Sequence, residues 1–306
     1  MSKTLVCMMI LMAMASCTQR QEAIIASADG GQADSTATLV AVMPTMGCLP
    51  LYYAEATGIA DSANVILVRY KSQMDIDTAM ANGHVDIAYS DLVRIARAGG
   101  KYKPLASVVE TISMIASKSL EATNIKQAKD RMIAVARYSV TDYWCDRMLD
   151  SLASDSDLYF RPQINNVALR GKMMSNGLLE AAMMGLPYSE WAVMEGNTCL
   201  FQTNDDKPHL AAWTVADTTR DVRSEDFLSL VRTATGLLND RLKPDTMRRK
   251  EALLPDTIRR ILIREYEMPT HIVDSLQLPH VSLPHPVDEA DIRSAKEWLQ
   301  GRNARK

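Results

Sequence analysis

Four short segments carry side chains able to grip a small solute, and each follows an apolar run that reads as a strand. The richest is Arg137-Tyr138-Ser139-Val140-Thr141-Asp142, between the apolar Arg131–Ala136 and a helical stretch, Val140–Leu152. Hydroxyls of Ser139 and Thr141 at a helix N-terminus, with the unpaired N–H groups around Val140 and the positive end of the dipole, suit an anion or a carbonyl. The same hydroxyls can cap the helix, and capping and binding are compatible. Arg137 can hold an anion bidentately, or it forms a surface ion pair. The other three segments are Pro44-Thr45-Met46-Gly47-Cys48, Ser72-Gln73-Met74-Asp75 and Ser90-Asp91. From them Thr45, Met46, Cys48, Gln73, Ser90 and Asp91 are candidate ligand contacts, with a buried thiol at Cys48 and an N-cap at Ser90-Asp91 as the plainer alternatives. Tyr188, after Pro187, can stack on a flat ligand or sit in the core.

These residue types bind rather than react. There is no G-x-S-x-G and no His/Glu cluster, and His84, His209, His271, His280 and His285 show no paired spacing, so no catalytic residue, metal or cofactor is expected. His280 and His285 lie in a Pro-rich loop and are expected to face solvent. Cysteines at 48, 145 and 199 match no zinc pattern and read as buried thiols. With 306 residues, 47% hydrophobic, 23% charged and a net charge of −3, the chain has material for two cores and no basic field for nucleic acid.

The elements that position these segments alternate. Thr38–Met43, Asn64–Tyr70 and Val85–Tyr89 read as strands, with helices over Leu49–Thr57, Asp75–Asn82 and from Ser90-Asp91 to Gly99-Gly100. The pattern restarts with strands at Ile112–Ser117 and Arg131–Ala136. Helices follow at Val140–Leu152 and about Val167–Asn176, then a strand at about Leu178–Met184. Asn82-Gly83-His84-Val85-Asp86-Ile87-Ala88 parallels Asn176-Gly177-Leu178-Leu179-Glu180-Ala181-Ala182: a glycine ends a helix and an acid and an alanine enter a strand. Two similarly built α/β lobes are therefore expected. The C-terminal third reads as helices at Phe227–Leu238, Asp256–Glu267 and Asp288–Gln300, the last stopping at Gly301.

The N-terminus has its own pattern. Lys3 precedes an unbroken apolar run, Leu5–Ala15, of signal-peptide length and too short to span a bilayer. Met14-Ala15-Ser16-Cys17 resembles a bacterial lipobox, although its first position is more often Leu. The resemblance implies a lipoprotein signal over residues 1–17, cleaved ahead of an acylated Cys17 that becomes the mature N-terminus, a polar tether over 18–37, and a protein exported and held at the periplasmic side of a membrane by a lipid anchor.

Leu49-Pro50-Leu51-Tyr52-Tyr53-Ala54-Glu55-Ala56-Thr57-Gly58-Ile59 resembles the "LPxYxAxxxGxF" opening of type II periplasmic solute-binding proteins, in the branch serving nitrate, sulfonate and thiamine-pyrimidine precursors. Gly83-His84-Val85-Asp86-Ile87-Ala88-Tyr89-Ser90-Asp91 is similar to its "GxxDxAxxD" step. Arg137–Tyr143 is similar to its "GS" turn, and Asn176–Ala182 with Leu186-Pro187-Tyr188 to its "GxxDAAxxxEPY" step. Tyr138 stands where a Gly is usual and Leu186 where an acid is, so no named ligand carries over. The resemblance implies an α/β, two-lobed type II fold, each lobe a sheet flanked by helices and the first lobe discontinuous. It places lobe 1 at 38–112 and 207–306, and lobe 2 at 113–206. It also implies a non-enzymatic, monomeric binding component of an ABC importer, capturing a small polar or heterocyclic solute and docking on a membrane permease driven by an ATPase. The alternatives are an enzyme on the same fold, of the thiamine-pyrimidine or menaquinone-pathway kind, and a lipoprotein that senses or scavenges without a transporter.

Overall fold

The computed structural model describes residues 37–128, 131–150, 160–204, 208–216, 223–243 and 254–304. The signal segment, Cys17 and the tether up to residue 36 lie outside the described residues.

The first half winds β1 (Thr38–Val42), α1 (Leu49–Ala56), α2 (Ile59–Ser62), β2 (Val65–Arg69), α3 (Gln73–Ala81), β3 (Ile87–Asp91), α4 (Leu92–Arg97) and β4 (Tyr102–Val108). Chain then enters a second sheet through β5 (Ile112–Ala116), β6 (Ile133–Ala134), α5 (Val140–Asp150), α6 (Val167–Ser175), β7 (Ala181–Gly185), α7 (Tyr188–Met194) and β8 (Thr198–Gln202). It returns with β9 (Ala211–Ala216), and ends in α8 (Ser224–Leu242), α9 (Asp256–Arg264), α10 (Thr270–Val273) and α11 (Glu289–Ala304).

Both sheets follow one plan. The first has order β2-β1-β3-β9-β4, with β1 parallel to β2 and β3, and β9 antiparallel to β3 and β4. The second has order β6-β7-β5-β8, with β6 parallel to β7, and β5 antiparallel to β7 and β8. Residues 160–163 extend it beyond β6 through parallel bridges Met132–Phe160 and Val135–Gln163, completing the same order. In each sheet the central antiparallel strand follows the chain's crossing from the other lobe. The fold is thus α/β with two mixed sheets flanked by helices, the first sheet drawing strands from both before and after the second.

Local chemistry explains most element ends. Gly58, Gly83 and Gly177 take positive φ just after helices, the left-handed cap that only glycine adopts without strain. Ser72, Asp91 and Asn166 cap α3, α4 and α6 by accepting from the backbone N–H three residues on. β3 begins two residues later than the expected Val85–Tyr89, so Ser90 is a strand residue and Asp91 alone caps α4. α11 continues through Gly301 to Ala304 instead of stopping there. Cys48 and Cys145 are buried as expected, but Cys199 is exposed, on the edge strand β8. His285 differs from expectation too: its backbone pairs with Ser107 of the edge strand β4 and it is half-buried, while His280 is exposed.

α8 and α9 pack on α1, whereas α11 lies along α4 and also reaches α5. Trp298 Nε1 donates to Asp146 at 2.8 Å, and Tyr143 and Ser294 hydroxyls bond at 2.7 Å. Among the described residues no helix is long and apolar enough to cross a membrane.

Candidate functional site

A narrow cleft of about 50 Å³ lies between the two sheets where their strand ends meet. The first lobe contributes Met43 and Thr45 after β1, Gln73 at the start of α3 and Asp91 at the end of β3. The second contributes Ser139, Val140 and Thr141, then Asn165 ahead of α6 with Val167 and Arg170 within it, and Gly185 at the end of β7 with Leu186 after it. Glu110 and Ile112 line it from the crossover. Strand ends and helix N-termini are where open α/β sheets place ligands, because backbone N–H groups and loops converge there.

Of the residues expected at the site, Thr45, Gln73, Asp91, Ser139, Val140 and Thr141 share this cleft. Met46, Cys48, Ser90, Arg137 and Tyr188 are not among its lining residues. Cys48 is buried in the first core, and burial pushes its thiol up to about 12. Met46 packs in the same cluster, and Ser90 is buried within β3. Arg137 is exposed, and its carbonyl accepts from Arg94 Nη2 at 3.1 Å. Tyr188 is buried against Tyr266 and Trp191, with its hydroxyl donating to Tyr266 O at 2.9 Å.

The Ser139–Thr141 turn is already wired. Ser139 Oγ donates to Ala136 O at 2.6 Å and meets Thr141 Oγ1 at 2.8 Å, while Thr141 Oγ1 accepts from Ala136 N at 3.0 Å. Tyr138, where a glycine would be usual, has φ 54°. Its strain of about 1–2 kcal/mol is offset locally: its N–H donates to Asp142 at 2.9 Å and its ring lies 4.2 Å from the Arg97 guanidinium. The N–H of Val140, at the N-terminus of α5, is taken by the chain's own Asp91, whose Oδ2 accepts it at 3.3 Å while Oδ1 accepts from Arg94 N at 3.0 Å. Asp91 is thus the anion at that helix end, and it joins the lobes. Burial raises its carboxyl to about 6 against the opposing pull of Arg94.

Two groups with no place in the sequence reading dominate the remaining electrostatics. Arg170 is 3% exposed, and its Nε donates to Met183 O at 3.0 Å and its Nη1 to Ile164 O. Among the described residues no carboxylate pairs with it, and burial lowers it to about 10. Glu110 sits beside Tyr89 and Thr45, close enough for each to influence its ionisation, and burial raises its carboxyl. Yet among the described residues Glu110 Oε1, Thr45 Oγ1 and Tyr89 Oη are buried with no well-formed hydrogen bond. Such orphans cost about 1–3 kcal/mol each unless something else satisfies them. Among the described residues no His/Cys/Asp/Glu group could hold a metal ion.

Two mixed sheets of one strand order, opposed across a cleft lined by strand ends, define the fold of the periplasmic binding proteins. Solved structures agree. The periplasmic aliphatic sulphonate-binding protein SsuA of Escherichia coli superposes with a TM-score of 0.66 at 13% identity, covering 88% of this chain and 89% of that one. The alkanesulfonate-binding protein SsuA of Xanthomonas axonopodis pv. citri, bound to MOPS, gives 0.65 at 15% identity, covering 88% and 92%. The nitrate-binding protein NrtA of Synechocystis PCC 6803 gives 0.62 at 13% identity, covering 79% and 69%. No protein-family model and no curated protein sequence matches the chain. At such identities the likeness is one of fold.

Proposed function

We propose that the chain is the solute-capturing component of an ABC importer, working by binding without chemistry. The observation that carries this reading is the buried Arg170, with no counter-charge among the described residues, in a cleft built from both lobes. A cation so placed is costly alone and is stabilised by an anionic partner, which none of the described residues supplies. A solute touching both walls favours the closed arrangement to the extent that it binds closed better than open, and the closed form is what a permease would recognise. The fold neighbours named as sulfonate- and nitrate-binding proteins support a small-solute role.

On this proposal the mature protein is a monomer held at the periplasmic face through acylated Cys17, in the lobe boundaries expected above. Small-angle scattering of the purified protein tests the core of it: a solute found by thermal-shift screening compacts the protein at saturation, and absence of compaction with every stabilising solute refutes hinged capture. The anchor has a separate test, since Cys17→Ser releases the protein from the membrane fraction if acylation holds it there.

A further inference from the structure

We propose, resting on that solute-binding reading, that the cleft takes a short dipolar solute, with an anionic group held by Arg170 and an amino group held by Glu110 and Thr45. The two poles come from opposite sides. Arg170 belongs to α6 of the second lobe, while Thr45 follows β1 of the first and Glu110 lies in the crossover beside it.

The anionic pole follows from what Arg170 lacks. Its Nε and Nη1 are spent on the carbonyls of Met183 and Ile164, and no described residue bonds its Nη2. An oxyanion at Nη2 supplies the missing counter-charge through a charge-assisted hydrogen bond. The other anion-accepting place in the cleft is already filled, because Asp91 occupies the N–H of Val140.

The amino pole follows from the acceptors opposite. Glu110 and Thr45 line the same cleft, and among the described residues Glu110 Oε1, Thr45 Oγ1 and the neighbouring Tyr89 Oη lie beside one another without a well-formed hydrogen bond. An ammonium carries three donors and no acceptor, so it satisfies Glu110 Oε1 and Thr45 Oγ1 together, leaving the Tyr89 hydroxyl to donate to the Glu110 carboxylate. A solute that is only an anion leaves this side unmet and brings its charge near a carboxylate; a solute that is only a cation leaves Arg170 unmet. The cleft is narrow, about 50 Å³, which favours a short spacing between the poles.

Calorimetric titration of the full mature chain with three matched series tests this. The probes are glycine, β-alanine and 4-aminobutyrate, their acids acetate, propionate and butyrate, and their amines methylamine, ethylamine and propylamine. The expected result is that at least one amino acid binds about tenfold or more tighter than both of its one-pole counterparts, and that Glu110→Gln reduces its affinity to that of the acid. The comparison among solutes uses unaltered protein, so it does not depend on whether an Arg170 variant folds. An acid binding as tightly as its amino acid, or full affinity retained in Glu110→Gln, overturns the dipolar assignment. So does a protein silent to all nine probes that still compacts around a sulfonate, a pyrimidine or an inorganic oxyanion, and in these cases solute capture stands. If no solute of any class compacts the protein, both proposals fall.

Discussion

The two lobes use one backbone plan to present opposite chemistry. Counting from the Asn-Gly turns at Asn82 and Asn176, Ile76 and Arg170 each stand six residues earlier, both buried in a helix. Asp91 and Gly185 each stand nine residues later, at the ends of β3 and β7. Tyr89 and Met183 also correspond, and each offers its carbonyl to a side chain from the preceding helix. In the first lobe Gln73 Nε2 donates to Tyr89 O at 3.0 Å; in the second Arg170 Nε donates to Met183 O at 3.0 Å. A neutral amide and a cation thus do the same job one helical turn apart. The charge appears in the lobe whose strand end is a glycine, and the lobe with the acid at its strand end keeps an isoleucine. Repetition of the fold supplies the geometry, and a few substitutions at matched positions make the cleft polar from wall to wall.

Exchanging the matched residues breaks this comparison most severely. Ile76→Arg puts a guanidinium into a fully buried slot of the first core, and the expected loss is about 4 kcal/mol or more in urea unfolding. A loss below about 1 kcal/mol would mean that the first lobe can host the second lobe's cation and that the correspondence is looser than the register implies.

Asp91 gives the next effect, through pH. Its carboxyl is raised to about 6 by burial, whereas an unfolded aspartate titrates near 3.8. Between those values the folded chain keeps a proton that the unfolded chain has released, so this group's contribution is fullest below 3.8 and is lost as pH rises through about 6. A shift of about two units corresponds to at most about 3 kcal/mol. Stability measured from pH 8 down to pH 4 should therefore rise more in the wild type than in Asp91→Asn, and parallel profiles would show that the carboxylate is as comfortable folded as unfolded. Gly185, its counterpart, adds no such term to the second lobe.

Much of this asymmetry was invisible in the linear chain for identifiable reasons. The parallel strands β1, β2 and β3 are apolar runs bounded by Pro44, Ser72 and Asp91, and the Asn-Gly caps repeat, so the lobes could be read as a repeated pattern. β4, β8 and β9 could not. Pro104 interrupts β4, which tolerates it as an edge strand with a register shift between Pro104 and Ala106. Ala211-Ala212 gives β9 little strand propensity of its own, and its place is fixed by β3 and β4 on either side. The turns holding Thr45, Gln73, Asp91 and Ser139–Thr141 were legible because hydroxyls and acids before helices have a local meaning. Arg170 was missed because a lone arginine in a helical pattern reads as a solvated face, and Glu110 because a glutamate between two strands has no local signature. Only the internal repeat held a signal: aligned on Asn82 and Asn176, Arg170 falls in an isoleucine's register.

Arg170→Gln sharpens the comparison by copying the first lobe's device into the second. A glutamine can still donate to one carbonyl, as Gln73 does, so the expected cost is the bond to Ile164 O, about 1–2 kcal/mol in unfolding free energy. The same variant removes the cation that no described carboxylate pairs, so any solute with an anionic group should lose at least about tenfold in affinity by calorimetry. Folding retained with binding lost separates the residue's two duties; binding retained would put the anion elsewhere.

The smallest effect belongs to the sheet edges, where the lobes stop resembling each other. β4 closes the edge of the first sheet with a backbone pairing between Ser107 and His285, whereas Cys199 on the edge strand β8 is exposed, its thiol resting 3.3 Å from Phe201 O. Cys199→Ser removes no core contact and should change stability by less than about 0.5 kcal/mol. The thiol itself should distinguish the edge from the core. Cys48 and Cys145 are buried, with thiols pushed up to about 12, so iodoacetamide at neutral pH should modify Cys199 well before either of them in peptide mapping. Equal modification of Cys145 in the native protein would mean that α5 opens readily, and that the second lobe is the softer of the two.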